Sequence, residues 1–253
     1  MMRVLRWHGS ASRLLTAAAL FLTAFLVPAG GSGLAVTLNS PPMVVIDPGH
    51  GGYDTGIALS EAAGISEKNV NLALARMLKK RLEKRYRVIL TRTGDYFLSS
   101  PDRVAKANQA RADFFIAIHG GGGFSPKNGE TTVWVLKKRM FSADKGSFLP
   151  DFSPSKKGPV LNTWPYVQQR HYQASKQAAD IVRKTLADEL KGACRLREAR
   201  LAVLEGADMP AVMVEIKGLL QRAATTPPED SAYFSQLADA LAGAVDGAIS
   251  DLN

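Results

Sequence analysis

Short apolar runs alternate with longer amphipathic ones along most of the chain. Residues 43–46, 88–91, 114–118, 131–136 and 211–214 are apolar-rich stretches of strand length, and most do not alternate with polar positions. Strands buried on both faces read this way, as in a parallel sheet covered by helices. Between them the spacing becomes helical. From Glu67 to about Arg85, the apolar residues Val70, Leu74, Leu78 and Leu82 recur at every fourth position, with Ser66 placed as N-cap. Ser100-Pro101 predicts the start of a second helix, with proline at the first helical position and serine before it. A long helix is expected over about 167–190, and a last one carries Tyr233, Leu237, Leu241, Val245 and Ile249 on one face. The alternation predicts an α/β fold: a single domain with a twisted, mainly parallel sheet flanked by these four helices. No internal repeat interrupts it.

Two segments depart from the pattern. Over 139–167 the periodicity fails and Pro150, Pro154, Pro159 and Pro165 accumulate, which predicts a loop. At the N-terminus, Arg3, Arg6 and Arg13 precede an uncharged apolar run over 14–27, and Pro28-Ala29-Gly30-Gly31 follows. That is the layout of a secretory signal peptide. The run falls short of the roughly 20 residues that span a bilayer, and Val27 and Ala29 suit a cut after Ala29. The division expected is a signal peptide over 1–29, a Gly, Ser and Pro-containing linker over 30–42 and a catalytic domain over 43–253. No stable membrane anchor remains after cleavage. The absence of a cysteine near the cut argues against a lipoprotein.

Composition narrows the class. With 46% hydrophobic and 22% charged residues, the chain can bury a core and is neither disordered nor fibrous. Its net charge of +9 falls by three, to +6, when Arg3, Arg6 and Arg13 are removed, so the remaining protein stays basic. The Lys and Arg are dispersed and no nucleic-acid motif accompanies them, which points away from nucleic acid and towards an anionic envelope polymer. The single cysteine, Cys194, has no internal disulfide partner and is expected as a half-buried apolar side chain.

The chemistry gathers at strand ends. Val44-Val45-Ile46-Asp47-Pro48-Gly49-His50-Gly51-Gly52 runs from a buried-type strand into a glycine turn that presents His50. Phe114-Phe115-Ile116-Ala117-Ile118-His119 does the same ahead of four glycines, and Ala211-Val212-Met213-Val214 ends on Glu215. Open α/β sheets collect their ligand sites at the carboxyl ends of the strands. Of the four histidines, His8 lies in the leading segment and His171 in a glutamine-rich helical pattern, whereas His50 and His119 share the strand-then-glycine context. A lone histidine so placed is commonly structural; the pair reads as a metal site. Two His and one carboxylate form a catalytic zinc set with a fourth position open to water. Glu67, in the first turn of its helix, is the best third ligand, though the helix dipole alone also favours a carboxylate there. Local reasoning leaves both readings standing.

Six ordered elements carry a resemblance. They are Val45 through Gly52, Glu67-Lys68-Asn69-Val70-Asn71-Leu72, Thr91-Arg92, Arg103 with Ala107-Asn108, Ala112 through His119, and Pro210 through Glu215. In this order the chain resembles the zinc-dependent N-acetylmuramoyl-L-alanine amidases of the AmiC-like class, from Met43 to the last helix. The resemblance implies that His50, Glu67 and His119 hold one zinc ion and that Glu215 is the catalytic carboxylate. It implies peptidoglycan as the partner and substrate, cleaved at the amide between the lactyl group of N-acetylmuramic acid and L-alanine. With an export signal, the location implied is periplasmic or secreted. An activator protein is compatible with this reading and leaves no mark in the sequence.

Two departures from the family pattern fall inside the site. His119 is usually followed by Ala-Asn-Ala, where this chain has Gly120, Gly121 and Gly122. Glu215 is usually followed by a hydrophobic residue, Gly and Phe, where this chain has Ile216-Lys217-Gly218-Leu219. If the strand continued through Lys217, its ammonium would face Glu215 and favour the ionised carboxylate; otherwise Lys217 is a solvated turn residue. Some relatives insert a helix over the zinc at 139–167, where composition here predicts a loop near the cleft. Two rival readings remain, an exported zinc peptidase acting on stem peptides and a peptidoglycan-binding protein of amidase fold with little turnover.

Overall fold

The computed structural model of the chain describes residues 40–60, 65–120, 130–138 and 164–252. The expected signal peptide, the linker up to residue 39, the glycines at 121–123 and the proline-containing stretch over 139–163 lie outside the described residues.

The elements follow the alternation of the sequence. In chain order they are β1 (Met43–Pro48), β2 (Ala58–Ser60), β3 (Ile65–Ser66), α1 (Glu67–Leu82), β4 (Arg87–Leu90), α2 (Ser100–Gln109), β5 (Phe114–His119) and β6 (Thr131–Leu136). A 3-10 turn over Trp164–His171 leads into α3 (Tyr172–Leu190), followed by β7 (Cys194–Ala199), β8 (Ala211–Glu215), α4 (Leu219–Thr225) and α5 (Ala232–Leu252). The sheet order is β4-β1-β5-β8-β6-β7, with β2 and β3 forming a separate small hairpin. β4, β1, β5 and β8 are mutually parallel; β6 is antiparallel to β8, and β7 is parallel to β6. The expected α/β sheet is present, and it is mixed at one side.

Alternation along each strand divides the core in two. Val44, Ile46, Ile116 and Val214 face α1, α3 and α5, whose buried stripes include Leu74, Leu78, Val182, Leu241 and Val245. Val45, Phe115, Ala117 and Met213 face the other way, under Val104 and Ala107 of α2 and the segment carrying Leu201, Val203 and Leu204. This second face also carries Asp47, His119 and Glu215 at its upper edge, because residues two apart share a face.

Several boundaries differ from those read in the sequence. α2 is capped by Ser99, whose Oγ accepts from the Asp102 N–H, so Pro101 lies one position further in than expected. Ser66 is the N-cap of α1 but makes no side-chain cap bond, and its buried hydroxyl has no hydrogen-bond partner among the described residues. The helix expected from residue 167 begins as a 3-10 turn, where the buried Gln168 amide bridges Ser175 and the Met209 carbonyl. Cys194 is half-buried as expected, and burial pushes its thiol up to about 11.

Candidate active site

The turn after β1 is built around backbone that few residues adopt. His50 has φ 61°, in the left-handed region, and Gly51 and Gly52 follow at 136° and 60°. A non-glycine residue there is strained and must be held by its surroundings. Two buried arginines hold it. Arg103 donates to Asp47 Oδ1 (2.8 Å), to the Pro48 carbonyl (2.9 Å) and to the His50 carbonyl (2.8 Å). Arg92 donates to the carbonyls of Pro48 (2.9 Å), Gly49 (2.9 Å) and Lys68 (2.7 Å), tying the turn to the start of α1. Burial, with Arg103 nearby, lowers Arg92 to about 10, still cationic at neutral pH. Thr91 adds its hydroxyl to Asp47 Oδ1.

This frame brings three side chains from separate elements together. His50 Nε2 lies 3.2 Å from Glu67 Oε1, and His119 Nδ1 lies 3.3 Å from the same oxygen. The candidate ligand atoms of His50, Glu67 and His119 all lie within 4.8 Å of one another. Zinc bonded at about 2.0–2.1 Å in a tetrahedral shell spaces its ligands about 3.3 Å apart, so the donors are of the right type and nearly at the right spacing. Glu67 is fixed by backbone as well: Oε2 accepts from the Ile57 N–H and Oε1 from the Gly120 N–H, each at 3.2 Å. Burial would raise Glu67, but hydrogen bonds from His119 and His50 outweigh it and hold the carboxyl well below the usual range. His50 shows the reverse: burial lowers it, while the Glu67 and Asp54 carboxylates pull it above its ordinary value.

The glycines at the site serve close approach. A Cβ on Gly49 would fall 2.4 Å from His119 Cε1, so the imidazole lies directly over that residue. A Cβ on Gly120 would fall 2.7 Å from Leu219 Cδ2 and 3.1 Å from Leu220 Cδ1, so an alanine there would require these leucine side chains to shift.

Glu215 ends β8 opposite His119 in the parallel register, and both line one cleft of about 550 Å³ with His50 and Glu67. It is 3% exposed, and its Oε2 accepts from the indole N–H of Trp134 at 3.2 Å. Lys217 does not join it. The strand stops at Glu215, Ile216 is buried, and Lys217 is exposed in the turn before α4, where its backbone N–H donates to Thr131 Oγ1. His171 is elsewhere, paired with Asp208 at 2.9 Å.

Sequence reasoning did not single out Asp54, although a carboxylate four residues after a candidate ligand was a readable signal. Its Oδ1 lies 2.8 Å from His50 Nδ1 and 3.2 Å from the Gly56 N–H. Burial would raise Asp54, yet the His50 hydrogen bond keeps it below its ordinary value, so the carboxylate accepts and His50 Nδ1–H donates. When the ring is neutral, this bond leaves Nε2 as the nitrogen without a proton, on the side of Glu67, and such partners of metal-binding histidines set ligand orientation and basicity. Asp54→Ala is expected to weaken zinc binding by about 10–100-fold in a competition titration; an unchanged affinity would remove this role.

A family model described as N-acetylmuramoyl-L-alanine amidase matches residues 44–247. The probable N-acetylmuramoyl-L-alanine amidase AmiB of Haemophilus influenzae is 34% identical over 194 residues, covering 70% of this chain and 45% of that protein. The N-acetylmuramoyl-L-alanine amidase AmiC of Neisseria meningitidis is 32% identical over 221 residues, covering 81% and 52%. The chain thus spans about half the length of these curated relatives. Among solved structures, an N-acetylmuramoyl-L-alanine amidase from Clostridium difficile 630 superposes with a TM-score of 0.62 at 26% identity, covering 85% of this chain and all of that one.

Proposed function

The chain belongs to the N-acetylmuramoyl-L-alanine amidase family, and from that membership we propose that it hydrolyses the lactyl–L-alanine amide of peptidoglycan with one zinc ion. The observation that carries the reading is the convergence of His50, Glu67 and His119 donor atoms within 4.8 Å, in the cleft that Glu215 also lines. Zinc, when bound, supplies a Lewis acid that polarises a carbonyl and makes water nucleophilic near neutral pH.

The protein's own groups do the rest. His50 and His119 offer imidazole nitrogens, and Glu67 offers a carboxylate oxygen, its carboxylate fixed by two backbone N–H groups. Glu215 takes the proton of the attacking water at its carboxylate and returns it to the alanine nitrogen. Without that protonation an amide nitrogen is a poor leaving group, so one residue must act first as base and then as acid. The Trp134 N–H fixes Oε2 of Glu215, leaving the carboxylate oriented before substrate arrives. The leading Arg-then-apolar segment supports export, which puts the enzyme in the envelope with its polymer substrate. Among the described residues, no helix is long and apolar enough to cross a membrane.

Digestion of purified peptidoglycan, with and without a chelator, tests the reading. We expect release of stem peptides carrying new L-alanine amino ends, abolished by the chelator and restored by zinc. New ends between amino acids would instead identify a stem-peptide peptidase. Wall binding with no released peptide would identify a binding protein of amidase fold.

A further inference from the structure

The charged side chains of the cleft are unequally committed. Asp54 faces His50, Glu67 lies between both histidines, Glu215 accepts from Trp134, and Asp47 pairs with Arg103. Arg103 is paired with Asp47 and commits four of its five N–H donors, to Asp47 and to the carbonyls of Leu98, Pro48 and His50. Arg200 also lines the cleft, is exposed, and has no hydrogen bond or ion pair among the described residues. The one uncommitted charge along the described wall of this cleft is therefore a guanidinium.

Its place follows from strand register. Glu215 pairs with Thr132, while Ala199, the residue before Arg200, pairs with Leu136. Arg200 thus leaves the sheet about five residues, or ~17 Å, down from the level of Glu215 and two strands, or ~10 Å, across from β8. An arginine side chain reaching back from there spans roughly a third of the combined separation. What remains, ~12 Å, is about the length of two extended residues together with a carboxylate and the hydrogen bond it accepts. The cleft runs from the candidate ligands to Arg200, on the side away from β1 and β4.

We propose that Arg200 is a specificity-determining residue that binds the first free carboxylate of the stem peptide beyond the L-alanine. The inference rests on the amidase reading and adds the direction in which the substrate lies. In a stem whose second residue is D-glutamate joined through its side chain, that group is the glutamate α-carboxylate, two residues from the scissile bond. The planar fork of an arginine fits a carboxylate in two-point contact, and the neutral amide of D-isoglutamine cannot replace the charge.

The test compares two defined muramyl peptides, identical except for D-glutamate or D-isoglutamine at the second position. For the wild-type chain we expect kcat/KM to favour the free acid by about fivefold, the upper range for an exposed ion pair. Arg200→Gln should bring the ratio to about one through the acid's KM, leaving the amide's kcat unchanged; Arg200→Lys should retain part of the preference. A wild type without preference, or a ratio unchanged in Arg200→Gln, overturns the proposal. If neither peptide is turned over, the amidase reading fails by itself. Calorimetric Kd values for the two peptides, with wild type and Arg200→Gln, then decide the Arg200 contact on the same ratio.

Discussion

Glu215→Gln is expected to lower kcat on peptidoglycan by about 10²–10⁴-fold, the range that a positioned acid/base contributes, with zinc content unchanged. The substitution is close to isosteric. The strand position opposite His119 persists, and the amide oxygen can still accept from Trp134. What disappears is the capacity to take a proton from water and hand it to the leaving nitrogen. Because Glu215 makes none of the contacts that join His50, Glu67 and His119, its loss leaves the donor set intact. Metal analysis beside turnover separates the two roles: retained activity with full zinc would remove Glu215 from the catalytic assignment. Lost zinc would make it a structural support of the metal.

The fold and the site were unequally legible in the sequence. Strands buried on both faces announced themselves, because β1, β5 and β8 are apolar up to their last one or two residues, and that placed His50, His119 and Glu215 at one edge. β7 escaped notice for the opposite reason. As an edge strand it alternates exposed Arg195 and Arg197 with half-buried Cys194 and Leu196, and its charges blunt the open side of the sheet. The seven-residue α4 offered too few turns for a periodic signal. Glu67 was undecidable locally, since a helix N-terminus favours a carboxylate whether or not a metal is near. Its carboxylate oxygen at 3.2 and 3.3 Å from two imidazoles is a three-element convergence that no local spacing contains. The same holds for Arg92 and Arg103: Arg103 crosses more than fifty positions to hold the His50 turn, and nothing in its neighbourhood says so. Asp54 was within reach, lying four residues from its partner in a glycine-rich turn.

His119→Ala is expected to lose both zinc and turnover. Removing one of three protein donors leaves two, and the His119 imidazole also covers Gly49, so truncation opens the floor of the site as well. A gel-filtered sample should contain less than about a tenth of the wild-type zinc, since loss of a direct ligand exceeds the roughly 10–100-fold effect of an outer partner such as Asp54. Full zinc content in this variant would place the metal elsewhere. The wild type adds a dependence on pH whose sign is set by His50. In the metal-free chain the Glu67 and Asp54 carboxylates raise His50 above its ordinary value, so a proton occupies the ring over a wider range. Metal requires the neutral ring and must displace that proton. Affinity should therefore fall by at least tenfold per pH unit below the raised His50 value, one power of ten for each ligand proton that the metal displaces. Competition against a chelator of known proton affinity, from pH 5 to 8, reads that slope. A flat profile through this range would mean that His50 binds no proton in competition with the metal, and would take it out of the ligand set.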